Sequence, residues 1–259
     1  MSKHGLLGKL LAIMIGLLVV ASATDAEARK WGKKKAGPAA EPAALEKAPK
    51  LKPSAVKFGK SEKQIAKAYK PIIKKRFKKR IQEASPGIEL NQVMRAMKAK
   101  QNDFATSVIE FDDKPGPLDG THFEGEFSRM NGETAMVMKR KKRTRHFFFI
   151  KNRLWKVIDT RKLGPNSKWG VDFKQATEKV EKMLGVKGRK LPANAEKGRK
   201  FDEVDWADAN VHFRLINWGK KLGLAYVDKD TEANLENLRT YKPKKKDDLD
   251  PSVKAILRK

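Results

Sequence analysis

Cysteine is absent from the 259 residues of the chain. Its absence excludes a disulfide framework, a thiolate metal site, a cysteine nucleophile and a lipid attached to an N-terminal cysteine. The sequence also lacks a Gly-rich phosphate loop, a Gly-x-Ser-x-Gly nucleophile elbow and the protein-kinase motifs. Hydrophobic residues make up 39% of the chain, which is low for a fully globular protein, so disordered segments are expected.

Acidic residues are few compared with basic ones. The 31 Asp and Glu residues are outnumbered by 59 Lys and Arg residues, which gives a net charge of +28 at pH 7. A field of this strength favours encounters with anionic polymers or surfaces. The charge therefore restricts the class of partner, although it does not determine the fold.

The N-terminus matches the pattern of a secretory signal peptide. Basic residues precede an apolar run from Leu10 to Ala23, and Ala26-Glu27-Ala28 follows as a small-x-small cleavage site. The apolar run is shorter than the roughly 20 residues that span a bilayer, so cleavage is favoured over an uncleaved anchor. We expect cleavage near Ala28, export to the periplasm or the extracellular space, and no transmembrane span in the mature protein.

Two segments are predicted to be disordered. Residues 29–60 form a linker rich in Lys, Ala and Pro with few large apolar side chains, which cannot offset the entropy of ordering. Residues 241–259 have the composition of a basic C-terminal tail. The linker lysines either contact an acidic surface or are simply solvated.

Residues 61–101 are predicted to be a basic helical segment. Ser61 and Gln64 are spaced as a capping box, and apolar residues then recur every three to five positions from Ile65 to Ile81. Lysines occupy the opposite side. Such a helix either lies on an anionic membrane or packs its apolar stripe on its own sheet, and the second arrangement is favoured because a sheet follows. The lysines predicted to bind an anionic ligand are Lys74, Lys75, Lys78 and Lys79.

Residues 102–240 are predicted to form an antiparallel β-meander covered on one side by helices, so the expected fold class is α+β. Asp172 and Gly185 are placed to begin and end one of these helices. Residues 146–184 and 212–238 also resemble each other as strand-turn-strand-helix units, which indicates a possible weak internal repeat. The predicted strands are Phe104–Phe111, His146–Ile150, Leu154–Asp159, Val211–Ile216 and Leu222–Asp228. A turn is predicted at Asn152-Arg153, and residues 186–200 are predicted to be a basic loop.

Asn131-Gly132 is a strong hairpin signal. A two-residue turn there predicts that Phe123 and Phe127 share a strand face with Met136 and Met138. The other face then carries His122, Glu124 and Glu126 opposite Lys139 and Lys141.

The stretch KRKKRTR is the best candidate for ligand binding. Six of its seven residues are cationic, so a short connection there is strained by repulsion unless an anion neutralises it. The alternative is a solubilising hairpin tip. The residues predicted to bind are Lys139, Arg140, Lys141, Lys142, Arg143 and Arg145.

Other clusters give weaker indications. His122, with Glu124 and Glu126, suits acid–base chemistry, but ion pairing with lysines is the simpler explanation. The strand-end histidines lack metal-ligand spacing, and residues 202–208 lack the pattern of a calcium loop. We therefore assign no catalytic residue, metal or cofactor.

These observations predict an exported, non-enzymatic protein that docks on anionic envelope material such as lipid head groups, anionic polysaccharide or cell-wall polymer. One alternative is an enzyme that acts on such a polymer. A second is a scaffold or assembly factor for an acidic protein. Nucleic acid is a less favoured partner, because an exported protein meets it less often.

Overall fold

The computed structural model of the protein describes residues 41–140 and 143–241, except the side chain of Lys197. The predicted signal peptide, most of the predicted tail, and Lys141 and Lys142 lie outside the described residues. The helices are α1 Glu62–Glu83, α2 Ile88–Ala105, α3 Phe173–Leu184, α4 Lys229–Ala233 and α5 Leu235–Leu238. The strands are β1 Ala43–Ala44, β2 Val108–Glu110, β3 Glu133–Arg140, β4 Arg143–Ile150, β5 Arg153–Lys162, β6 Arg189–Leu191, β7 Glu203–Ala207, β8 Val211–Asn217 and β9 Lys221–Asp228.

The strands form one mixed, mostly antiparallel sheet in the order β1-β7-β8-β9-β5-β4-β3-β2, with β6 paired to β7. Two meanders, β3–β5 and β7–β9, lie side by side and meet through the antiparallel pair of β5 and β9. The predicted α+β class is confirmed. Whether the two meanders are a true sequence repeat stays a prediction.

The helices begin and end where local signals indicate. Ser61 and Gln64 form the predicted capping box of α1, with distances of 3.0 and 3.3 Å. Asp172 caps α3, and Gly185 closes that helix in a left-handed conformation at φ 73°. These signals depend on neighbouring residues alone, which is why the sequence reveals them.

Helix α2 extends further than predicted. Phe104, predicted to begin a strand, belongs to α2, and the strand that follows is only Val108–Glu110. Phe104 continues the buried helix stripe of Val93 and Met97. Its ring lies 5.0 Å from that of Tyr69, so burial against another helix outweighs the strand tendency of the following residues.

The hairpin predicted at Asn131-Gly132 is wrong. No strand precedes Asn131 within residues 112–130; its side chain instead donates to Ser128 Oγ and to the Arg129 carbonyl, and so closes a loop. Phe123 consequently packs on the opposite side of the sheet from Met136.

Two further boundaries differ from the sequence prediction. The β4–β5 turn is at Lys151 and Asn152, both with positive φ, one residue earlier than predicted. The region from residue 186 to 200, predicted to be a loop, contains the short strand β6.

The segment 41–60 is folded against the sheet, so the predicted linker does not extend to Lys60. Ala43 and Ala44 form β1 beside β7, while Leu45 and Val56 are buried in two different core clusters. The averaged composition of residues 29–60 conceals these scattered apolar side chains.

The core has two faces, which alternate residues of β9 define. Leu224 and Tyr226 face the side on which α1, α2 and α3 pack. Ala225 and Val227 face the other side, where α5 and residues of the 111–127 loop pack.

A substitution at Gly188 tests the packing of α3 and its neighbours on the sheet. A Cβ atom there would lie 2.2 Å from Val204 Cγ1 and 2.5 Å from the Trp206 ring, and both side chains belong to the core. We expect Gly188→Ala to lower the free energy of unfolding by about 1–3 kcal/mol, measured by chemical denaturation. Gly116→Ala is the control, because its Cβ meets nothing closer than 3.7 Å. Equal stability of the two variants would contradict the packing described here.

Candidate anion-binding surface

The outer face of α1 is a row of exposed cations. Ile65, Tyr69 and Ile73 are buried in the core, so the apolar stripe of the helix faces the sheet. Among the described residues, only one ion pair engages these cations, at 3.5 Å between Lys79 and Glu83. The exposed cations are Lys63, Lys67, Lys70, Lys74, Lys75, Arg76, Lys78, Lys79 and Arg80.

The stretch predicted as a basic loop is mostly strand. Lys139 and Arg140 belong to β3, Arg143, Thr144 and Arg145 belong to β4, and Arg140 pairs with Arg143. Lys139 is exposed, whereas Arg140 and Arg143 are half-buried. Because side chains alternate along a strand, Arg140 and Arg143 face the same side of the sheet as α1, and Lys139 faces the other side.

Arg145 is buried, so the structure places it away from the exposed tip. Its Nε and Nη2 donate to the two carboxylate oxygens of Asp159 at 2.7 Å each. Its Nη1 donates to Tyr69 Oη at 3.1 Å and to the carbonyl of Lys52. Burial alone would lower the pKa of Arg145, but the hydrogen bonds and charge of Asp159 outweigh it and raise the pKa.

Asp159 is surrounded by several arginines. Arg143 and Arg161 each place a terminal nitrogen 3.5 Å from Asp159 Oδ2, and Arg140 lies across the hairpin from Arg143. Burial, together with the positive charges of Arg76 and Arg143, lowers the pKa of Arg140 to about 10. We call Arg140, Arg143, Arg145 and Arg161 the arginine cluster.

The arginine cluster adjoins the α1 face, because Arg76 of α1 is near enough to Arg140 to affect its pKa. The ring of Tyr69, also on α1, lies 5.9 Å from the Arg140 guanidinium carbon. Sequence reasoning missed Arg161. Its place beside Arg143 depends on the β4–β5 register, and no local signal reveals that register.

The candidate acid–base residues line a separate polar cleft of about 270 Å³ on the other face of the sheet. Glu124 pairs with Lys200 at 2.6 Å, and not with the predicted Lys139. His122 also lines this cleft, and burial followed by the charge of Lys221 lowers its pKa.

Glu126, within the cleft, is held by two cations. Its carboxylate lies 2.7 Å from Lys156 Nζ and 2.7 Å from Arg214 Nη2. Burial would raise the pKa of Glu126, but these charges lower it to about 2. A carboxylate of such low basicity is poorly suited to act as a general base.

Other polar side chains of the cleft are paired as well, whereas the buried Nε2 of His122 has no hydrogen-bond partner among the described residues. His212 lies 3.0 Å from Asp205 and 2.8 Å from Glu232; these hydrogen bonds outweigh burial and raise its pKa. Arg214 also pairs with Glu203 at 3.2 Å. Within the part of the chain that the structure describes, no group of three or more His, Asp or Glu side chains is arranged to hold a metal ion.

No protein-family model, curated protein or solved structure matches the chain significantly. The function is therefore inferred from the residues of this chain. None of the helices in residues 41–140 and 143–241 is long and apolar enough to cross a membrane.

Asp159 should be critical for stability. In Asp159→Asn the shape is kept, but Arg145 becomes a buried charge without a counter-ion, which costs about 3–5 kcal/mol of unfolding free energy. Chemical denaturation measures the loss. Glu83→Gln, which breaks the exposed pair with Lys79, should change stability by less than about 1 kcal/mol. If both variants lose equally little, the Arg145–Asp159 pair does not have the structural role described.

Glu126 gives a test by pH. Its pKa is about 2 in the folded protein and 4.5 without the fold, so its stabilisation is complete above pH 4.5 and is lost as the pH falls toward 2. The difference corresponds to roughly 3 kcal/mol. Glu126→Gln should therefore be less stable than the parent at pH 7, with a gap that narrows in acid. A gap independent of pH would show that the charge of Glu126 contributes little.

Proposed function

We propose that the protein is an exported, non-enzymatic protein that docks on anionic envelope material: lipid head groups, anionic polysaccharide or cell-wall polymer. Docking uses two basic regions. One is the outer face of α1, and the other is residues 139–143, where β3 ends and β4 begins, called the β3–β4 tip. Export follows from the signal-peptide pattern of residues 1–28.

The observation that carries the proposal is the orientation of α1. An amphipathic helix that inserts into a membrane needs a free apolar side. In α1 that side is used by the core through Ile65, Tyr69 and Ile73. What the helix offers to a partner is a row of nine cations, so docking proceeds by charge at the surface of the material and not by insertion.

The helix that carries these cations is held in position by the sheet. Tyr69 of α1 accepts a hydrogen bond from Arg145, whose own strand is central in the sheet. The helix therefore presents its lysines in a set arrangement, and the long side chains alone remain to adapt to an irregular polymer.

The two alternatives gain less support. Enzymatic use of the cleft was expected to involve two carboxylates and a histidine, whereas Glu126 is paired with Lys156 and Arg214, and Glu124 with Lys200. Of these candidates His122 alone is without an ionic partner in the described part of the chain, and it lacks a free carboxylate to act with. A scaffold for an acidic protein would use the same basic surface, and would differ by retaining a stoichiometric partner.

Removal of cations from α1 tests the docking face. The variant replaces four lysines of α1 by serine. Each lysine lost near an anionic surface removes about 1 kcal/mol of binding free energy, so binding to phosphatidylglycerol vesicles at low salt should weaken by roughly two to three orders of magnitude. Co-sedimentation at increasing salt measures it, and vesicles of phosphatidylcholine alone should not bind. The substitutions are Lys74→Ser, Lys75→Ser, Lys78→Ser and Lys79→Ser.

A charge-matched control separates the face from the overall field. It removes four exposed lysines on or near α3 and β6, and it should bind within a few-fold of the parent. Equal loss in both variants would locate binding in the net charge and not on α1, and no binding by the parent would reject docking itself. The control substitutions are Lys174→Ser, Lys182→Ser, Lys187→Ser and Lys190→Ser.

The tip is tested separately by a five-fold variant, which should also weaken vesicle binding and its dependence on salt. Arg145 is left intact because it belongs to the buried pair. Unchanged binding would remove the tip from the docking surface. The substitutions are Lys139→Ser, Arg140→Ser, Lys141→Ser, Lys142→Ser and Arg143→Ser.

A further inference from the structure

The arginine cluster contains more positive charge than its carboxylate neutralises. Arg145 takes both oxygens of Asp159 at 2.7 Å. Arg143 and Arg161 reach the same carboxylate only at 3.5 Å, so Arg161 donates a long, weak hydrogen bond and Arg143 forms an ion pair. Asp159 therefore neutralises mainly Arg145, and the positive charges of the other arginines are only partly neutralised.

Two of the arginines also have donors without acceptors. The Nε atoms of Arg140 and Arg161 are buried and lack a hydrogen-bond partner. Within the described residues, no hydrogen bond or ion pair engages a side-chain nitrogen of Arg140. A buried donor left unpaired is costly, and an anionic ligand that supplies the acceptors would remove this cost.

The neighbours of these arginines reinforce the preference for an anion. Burial lowers the pKa of Arg161 against the opposing effect of Asp159, and the charges of Arg143 and Arg145 lower it further. The Arg161 side chain is not fully enclosed, since 17% of it is exposed. The cluster is thus partly sheltered from water, yet open to a ligand.

The chemistry of the donors indicates which anion. A guanidinium offers a rigid fork of N–H donors that matches a planar or tetrahedral oxyanion. A carboxylate has two oxygens and is satisfied by one fork, as Asp159 is by Arg145. A phosphate monoester has three terminal oxygens and up to two negative charges, so it suits several forks that converge from different sides.

We propose that Arg140, Arg143 and Arg161 form a binding site for a phosphate monoester group. The inference rests on the proposed docking function and deepens it: the lysines of α1 provide attraction to any anionic surface, and the arginine cluster recognises a terminal phosphate within that material. Arg161 is held by the central strand β5, so the site is built into the sheet and not only into the turn.

Charge-conserving substitutions distinguish recognition from attraction. Isothermal titration calorimetry with inorganic phosphate should give about tenfold weaker binding for Arg140→Lys and for Arg161→Lys than for the parent, because lysine keeps the charge and loses the fork. Acetate at matched ionic strength should bind the parent much more weakly. The control is Arg95→Lys, an exposed arginine of α2, which should leave phosphate binding unchanged.

Vesicles identify the source of the phosphate. Phosphatidic acid carries a phosphate monoester and phosphatidylglycerol a diester, so the two lysine variants should lose affinity for the first and keep affinity for the second. Binding of inorganic phosphate without preference for phosphatidic acid would indicate a site for a free or polymer-borne phosphate.

The site is rejected if both lysine variants bind phosphate like the parent, or if phosphate and acetate bind equally. Vesicle docking would survive either result, so failure of the site and failure of the docking function are distinguishable. Thermal unfolding checks that each variant is folded. If Arg161→Lys is unstable, Arg140→Lys decides the outcome, because the Arg140 side chain has no hydrogen bond in the described part of the fold.

Discussion

The buried ion pair between Arg145 and Asp159 connects the parts of the protein that the proposed function requires. Asp159 lies on β5, which joins the two meanders through β9. Arg145 extends from the adjacent strand to Tyr69 of α1 and to the carbonyl of Lys52. One guanidinium thus ties the sheet to the basic helix and to the segment that precedes it. Since a buried pair is costly to break from either side, this arrangement fixes α1 firmly.

Buried carboxylates affect the distribution of charge between the interior and the surface. Most of the buried charged side chains of the described region are carboxylates, and apart from Arg145 their arginine partners reach inward from partly exposed positions. Glu126 and Asp205, for example, are paired with Arg214 and Arg189. Negative charge is held inside and positive charge faces outward, so the surface is more basic than the composition alone indicates. That distribution favours association with anionic material.

The sequence allowed prediction of what depends on neighbouring residues. The caps of α1 and α3 are set by Ser61 and Asp172, and both are present. The hairpin predicted at Asn131-Gly132 is wrong because the Asn131 side chain closes a loop through Ser128, a contact that strand propensity does not reveal.

The candidate site was predictable only in part for the same reason. The cationic composition of residues 139–145 drew attention to the tip, but a run of like residues conceals which of them a strand buries. Arg145 turned inward because its register places it beside Asp159, and Arg161 joined the cluster because β5 pairs with β4. Both facts depend on contacts between strands, and no single segment carries that information.

The proposed phosphate site depends on guanidinium groups of the arginine cluster whose charge and donors are not fully paired within the protein. The most direct measurement is NMR of the arginine Nε–Hε groups during titration with inorganic phosphate. Binding at the cluster should give saturable shifts for Arg140 and Arg161, with little change at Arg129, whose guanidinium is already paired with Asp119. Small, unsaturated shifts of equal size at all three arginines would contradict it, because such a response indicates general screening and not a site.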